Sequence, residues 1–245
     1  MCAEHDCPAI FVTGTDTGVG KTMATAALAR FFSRRGLSVG VMKPCETGVA
    51  DPNLPGEDAR LLLWAAASRD DINLVAPYRL KTAAAPSLAA EREGVVIDAQ
   101  RIVDSFTEIR KGKDLVLIEG AGGLMVPLRG GFLTADLVGQ LGSRLLVVAR
   151  PALGTINHTL LTIFAARTME LPLAGFLINR MPAQPNVAEE DAPHQLAKLA
   201  SADLLGVLPD VAGSTEARIE QLAEVIATLP TLPWLLRAFG LPPRI

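Results

Sequence analysis

The sequence predicts a single α/β domain with a mostly parallel central sheet and helices on both faces. Three observations carry that expectation. Strand-like and helix-like segments alternate almost throughout, as they must when each parallel strand returns through a crossover helix. Near the N-terminus a β-branched strand runs into a glycine-rich turn, then into Lys-Thr at the head of an apolar-periodic run, Met23 to Arg35. The material for a core is aliphatic, because 49% of the 245 residues are hydrophobic and only 4% are aromatic.

Taken in order, the first strand and helix are followed by a short β run, Ser38 to Lys43, that ends in Lys-Pro. A glycine- and proline-rich loop, Gly48 to Gly56, leads to a helix over Asp58 to Ala67. Residues 70 to 97 are less regular. Asp98 can cap a helix on which Ile102, Phe106 and Ile109 share one face. Asp114 to Gly120 reads as a buried strand closing on an acid and a Gly-Ala-Gly-Gly turn. Leu145 to Ala149 is another strand, and a helix is expected from Thr155 to Glu170. Leu173 to Asn179 and Leu204 to Val207 supply two more strands. Ile219, Leu222, Ala223 and Ile226 form the apolar face of the last clear helix. The tail from Pro230 carries four prolines in 14 residues, so it cannot be one continuous helix. Trp234, Leu235 and Leu236 can pack on the body or on a partner, and packing on the body is the expectation. No interdomain linker is visible, so residues 1–245 read as one unit, with a core at about 9–229 and a proline-rich tail at 230–245.

The run Gly14-Thr15-Asp16-Thr17-Gly18-Val19-Gly20-Lys21-Thr22 has the order a phosphate cradle needs. Backbone N–H groups close on the anion, and the helix N-terminus adds partial positive charge. In such a loop Lys21 reaches the terminal phosphates and the Thr22 hydroxyl serves magnesium. The spacing is one residue longer than G-x-x-x-x-G-K-[ST], with Thr15 where the first glycine is usual. The competing reading is an ordinary glycine-bearing turn with Lys21 as a solvated charge. Three glycines between the correct flanking elements favour the P-loop. The loop implies a bound triphosphate but not its fate.

Composition narrows the classes further. A net charge of −3 without a basic block gives no nucleic-acid surface. No stretch approaches 18 uninterrupted apolar residues, and Met1 to Pro8 lacks the pattern of a secretory signal. Cys2, Cys7 and Cys45 are few, odd in number and without metal-ligand spacing, which fits a reduced, cytoplasmic protein.

In open parallel sheets the site lies beyond the carboxyl ends of the strands, where Lys21, Lys43 and Glu119 are expected to converge. Glu119 follows four apolar residues and precedes the glycine turn, where a magnesium-organising acid belongs; a surface acid at a turn is the plainer alternative. Asp58 reads equally as a second magnesium ligand or as a helix N-cap. Lys43, wedged between a buried strand and Pro44, can neutralise an anion formed during reaction or merely snorkel. The turn Gly154-Thr155-Ile156-Asn157 opens a helix and can hold a carboxylate or simply cap. Asn179 ends a strand with an amide able to read an adenine edge. His158 has no partner and is left structural.

With these residues assembled, the chain resembles the dethiobiotin synthetase family over roughly residues 10 to 228. The resemblance rests on five ordered motifs: Thr13 to Thr22 with the lengthened loop, Lys43-Pro-Cys-Glu-Thr-Gly48, Val116-Leu-Ile-Glu-Gly-Ala-Gly-Gly123, Leu153-Gly-Thr-Ile-Asn-His158 and Leu177-Ile-Asn179. It implies an ATP- and magnesium-dependent ligase that acts on carbon dioxide and 7,8-diaminononanoate. One amine is carboxylated, the carbamate takes the γ-phosphate, and the second amine closes the ring. It further implies catalytic roles for Lys21, Lys43 and Thr17, and magnesium ligation by Thr22, Asp58 and Glu119. Thr47 and Gly122 match positions near the diamine and carbamate. Asn179 and Pro209 match positions near the adenine. Family members are homodimers in which the turn matching Gly154 to Asn157 binds the substrate carboxylate across the interface.

Two departures stand out. Gly18 replaces a glutamate found in some members, and Cys45-Glu46 is a more polar pair than the small apolar residues expected before Thr47. A partitioning or cell-division switch ATPase is the rival from the same superfamily. It requires a second lysine early in the loop, where this chain has Asp16. An amidotransferase-type cobyrinate synthase would need a glutaminase domain for which the length leaves no room.

Overall fold

A computed structural model describes residues 7–243. The segment Met1 to Asp6, with Cys2, lies outside the described residues. The chain runs β1 (Ala9–Gly14), α1 (Lys21–Arg34), β2 (Val39–Met42), β3 (Cys45–Thr47), α2 (Glu57–Ala65), α3 (Ile72–Val75) and β4 (Tyr78–Leu80). It continues through α4 (Pro86–Glu93), α5 (Ala99–Arg110), β5 (Leu115–Gly123), β6 (Pro127–Arg129), β7 (Phe132–Leu133) and α6 (Thr134–Gln140). The last part comprises β8 (Arg144–Ala149), α7 (Thr155–Thr168), β9 (Leu173–Met181), α8 (Val187–Leu199), β10 (Leu204–Pro209), α9 (Thr215–Thr228) and α10 (Leu232–Ala238).

Six strands form one parallel sheet in the order β10-β9-β8-β1-β5-β2. Successive strand residues point to opposite faces, yet Ile10 to Gly14, Val39 to Met42 and Leu145 to Ala149 are buried without interruption. Both faces of the sheet are therefore covered, as continuous apolar strands require. The central strand β1 has β5 on one side and β8 on the other, so the loop after β1 opens at the point where the strand order reverses. That crevice is where open α/β sheets bind ligands.

Most elements follow their sequence signals. Asp98 caps α5, accepting from Gln100 N at 3.0 Å, and Ile102, Phe106 and Ile109 are buried as their spacing predicts. Several elements were not marked by periodicity, among them α3, β4 and α4 within the irregular residues 70 to 97. α8 holds Pro193 in its interior, which obscured a helix whose start is marked by a reciprocal cap between Asn186 and Glu189. β3, the β6–β7 pair and α6 are short pieces whose positions depend on their neighbours rather than on periodicity. β5 also runs on through the expected turn to Gly123, because Gly14 pairs with Gly123 after a register shift. In the tail, Leu235, Leu236 and Phe239 are buried, and the Phe239 ring lies 5.8 Å from that of Phe32. Trp234 departs from expectation and is 58% exposed, because it faces away from the side of this short helix that meets the body. Among the described residues no helix is long and apolar enough to cross a membrane.

Candidate active site

The loop after β1 turns sharply into α1. Gly20 is the N-cap in the left-handed region, with φ 88°. A side chain there is excluded twice, by that backbone conformation and because a Cβ would stand 2.3 Å from Asn179 Nδ2. The helix start carries no side-chain cap, so its first N–H groups remain available to an anion. Lys21 is nearly buried and folds its ammonium back onto its own loop, donating to the Asp16 carbonyl at 3.2 Å. Burial pulls the Lys21 pKa down, with Lys43 adding repulsion against the pull of Glu119 and Asp58.

Three strand ends and one helix converge beside this loop. Lys43, just past β2, places its ammonium 2.7 Å from Glu119 Oε1 and 2.7 Å from Asp58 Oδ2. Burial alone would lower the Lys43 pKa, but the two carboxylates outweigh it and hold the ammonium charged, above its ordinary range. The same ammonium holds Asp58 below the usual carboxylate range against the opposing effect of burial. Burial pushes the Glu119 carboxyl up, with Lys43 resisting. Asp58 lies inside the first turn of α2, whose N-cap is Gly56, so the capping alternative for Asp58 is excluded. Glu119 is 1% exposed, which excludes the surface-acid alternative, and its contacts likewise rule out a snorkelling Lys43.

The Thr22 hydroxyl lies 2.8 Å from Glu119 Oε1 and 3.0 Å from Asp58 Oδ1. One hydroxyl proton cannot serve both carboxylates, and Glu119 Oε2 is buried with no hydrogen-bond partner. Among the described residues there is no group of three His, Cys, Asp or Glu that could hold a metal. Two acids and a hydroxyl nevertheless suit magnesium, which keeps waters and takes its other oxygens from phosphates. The orphaned carboxylate oxygen fits that donor set.

These groups line one cleft of about 310 Å³. Thr17, Gly18, Gly20, Thr47 and Gly122 also line it. Gly14, Thr15, Asp16 and Val19 build the loop from behind, with Thr15 N donating to Val148 O at 3.0 Å. Asn179 is buried at the end of β9 and donates to the carbonyls of Val19 at 3.2 Å and Gly20 at 3.1 Å, bracing the loop rather than lining the cleft. Pro209 ends β10 in register with Met181. Gly154 to Asn157 open α7 as expected, but none of them lines the cleft. His158 is half-buried there.

The cleft also holds residues to which the sequence reading gave no role in the site, Arg180 and Cys45 among them. Arg180 follows Asn179 with φ 63° and donates to the Gly18 carbonyl at 2.9 Å, bringing a guanidinium to the cleft wall. An arginine at a strand end reads as a solvated charge, so no sequence signal singled it out. Cys45 also lines the cleft, and burial raises its thiol pKa to about 12.

Comparison with known proteins adds independent findings. A family model described as an AAA domain matches residues 8–218. The chain is 38% identical over 223 residues to the ATP-dependent dethiobiotin synthetase BioD of Thermodesulfovibrio yellowstonii, spanning 87% of this chain and 93% of that protein. It is 43% identical over 202 residues to the enzyme of the same name from Nitrosospira multiformis, spanning 81% and 87%. In three dimensions it resembles a ParA family ATPase from Chlorobium tepidum, with a TM-score of 0.56, 14% identity and coverage of 96% of this chain and 100% of that one. That last likeness concerns the fold alone.

Proposed function

The chain belongs to the ATP-dependent dethiobiotin synthetase family, and from that premise we propose that it carboxylates 7,8-diaminononanoate and closes the ureido ring at the expense of ATP. The observation that carries the reading is the meeting of Lys21, Lys43, Thr22, Asp58 and Glu119 in one cleft at the strand-order reversal.

The chemistry begins when one amine nitrogen attacks carbon dioxide and loses a proton, giving a carbamate. A carbamate oxygen then attacks the γ-phosphorus, and ADP departs. The second amine attacks the carbonyl carbon of the mixed anhydride, expelling phosphate and closing the ring. Phosphoryl transfer of this kind needs positioning and charge neutralisation more than covalent help from the protein. Lys21 and Lys43 are assigned to hold the anionic oxygens of the γ-phosphate and the carbamate. Thr17, Thr47 and Gly122 are assigned to shape the wall against which the carbamate lies. Thr22, Asp58 and Glu119 are the residues to hold magnesium, which when bound supplies further positive charge to the phosphate oxygens. Gly14 to Thr22 form the phosphate cradle, and Asn179 and Pro209 mark the side where adenine is expected.

A homodimer with a shared substrate site follows from the same reading. Leu153, Leu161 and Phe164 are exposed large apolar residues on α7 and the turn before it. An apolar groove lined by Met125, Val126 and Leu161 also adjoins the loop at Thr15 to Thr17. Burying these residues against a second copy would bring the partner's Gly154 to Asn157 turn to bear on the diamine's carboxylate.

Mass spectrometry after incubation with the diamine, ATP and labelled bicarbonate tests the function. One labelled carbon is expected in a ring-closed product, with phosphate released only when the diamine is present. Equally fast release without the diamine would favour the switch-ATPase reading.

A further inference from the structure

Helix α2 supplies no cap of its own, since Gly56 precedes it in an extended conformation without a side chain. The free N–H groups of its first turn are met from another element. Glu46 Oε1 accepts from Asp58 N at 2.8 Å, and Glu46 Oε2 faces Ala59 N at 3.3 Å. Glu46 belongs to β3 and is only 5% exposed. A buried carboxylate at a helix N-terminus satisfies orphaned donors and the helix dipole together. The fit is close enough that a Cβ at residue 56 would stand 2.2 Å from the Glu46 carboxyl carbon, so the chain has glycine where the carboxylate passes.

The residue whose backbone Glu46 grips is Asp58, and the Asp58 side chain is in turn the one that meets Lys43 and Thr22. Glu46 also immediately precedes Thr47 on the cleft wall. A single carboxylate thus ties the strand that carries Thr47 to the helix that carries Asp58. The contact between Lys43 and Glu119 does not pass through α2 and is independent of this tie.

We propose that Glu46 is a positioning residue of the reaction: it touches neither nucleotide nor diamine, but fixes the Asp58 carboxylate against Lys43 and Thr22. The inference rests on the proposed function, in which Asp58 serves the magnesium–nucleotide. Outer groups that orient a metal-side ligand are felt in metal affinity when they are removed.

The test is a magnesium titration of fluorescent ATP-analogue binding to the full chain, for wild type, Glu46→Gln and Glu46→Ala, alongside thermal unfolding. Glu46→Ala is expected to raise the magnesium midpoint about tenfold while leaving metal-free analogue binding unchanged. Glu46→Gln keeps one carbonyl acceptor for the Asp58 N–H, so its midpoint should rise by about threefold, the worth of a modest hydrogen bond. If Glu46→Ala does not fold, the glutamine variant decides alone. A lowered melting temperature with the wild-type midpoint would make Glu46 a fold-holding residue only and overturn the proposal. Wild-type binding that ignores magnesium would overturn the metal–nucleotide reading itself, before any variant is compared.

Discussion

The Lys43 ammonium stands 2.7 Å from Glu119 Oε1, joining two strands across 76 positions of sequence, and both side chains are almost fully buried. A buried pair of this kind is costly to form and costlier to break. Removing one partner strands an uncompensated charge in the interior, at about 3 to 5 kcal/mol.

Lys43→Ala is therefore expected to lower stability by about 3 kcal/mol and to abolish ring closure while ATP binding stays measurable. Denaturant unfolding, calorimetric ATP binding and product assay check the three parts. Wild-type turnover by this variant would exclude Lys43 from the chemistry.

Glu119→Gln keeps the shape of the side chain but halves the acidic complement beside Thr22. Its magnesium requirement for phosphate release should rise, read as the midpoint of a magnesium titration at fixed ATP. An unchanged midpoint would contradict the assignment of Glu119 to the metal.

Cys45 offers a pH test within the same cleft wall. Burial raises its thiol pKa from 9.0 to about 12, so the folded protein keeps a proton that the unfolded chain releases. The stabilising contribution is complete below about pH 9 and falls as pH rises towards about 12, by up to about 1.4 kcal/mol per pH unit. Stability measured from pH 8 to 10 should fall less steeply for Cys45→Ala than for wild type. Native Cys45 should also resist alkylation at pH 8, and rapid labelling there would show that the thiol is less buried than its 2% exposure implies.

Phe164 is 69% exposed on α7, within the apolar surface assigned to the dimer. Phe164→Glu should place a charge in that interface and yield a monomer by sedimentation or light scattering, with weakened diamine use. A wild-type chain that sediments as a monomer at every concentration would remove the shared-site proposal.

Much of the fold was legible because it rests on local rules. The buried strands are continuous apolar runs, α5 has a cap and a clean periodic face, and the loop from Gly14 to Thr22 is a contiguous motif. Its glycines, Lys21 and Thr22 could be named together because a phosphate cradle is built from neighbours in sequence. Elements whose local signature is interrupted or too short were missed, such as α8, where Pro193 follows the Asn186–Glu189 cap, and the two-residue strand β7.

The sequence by itself determined the alternation that makes a parallel sheet, the position of the phosphate loop and the short roster of strand-end residues with the right chemistry. Family likeness then supplied their expected roles. Only the tertiary structure decided between the two readings that spacing left even for Asp58, placing it as a cleft acid rather than a cap, and it showed Lys43 in a buried charge pair and Asn179 bracing the loop. It also brought in Arg180, which nothing local distinguishes, and gave Glu46, visible in the sequence only as an unexpectedly polar residue before Thr47, a partner in the first turn of α2. The physical reason is that hydrogen bonds and charge pairs act over about 3 Å of space, whereas periodicity and motifs speak only for residues near one another along the chain.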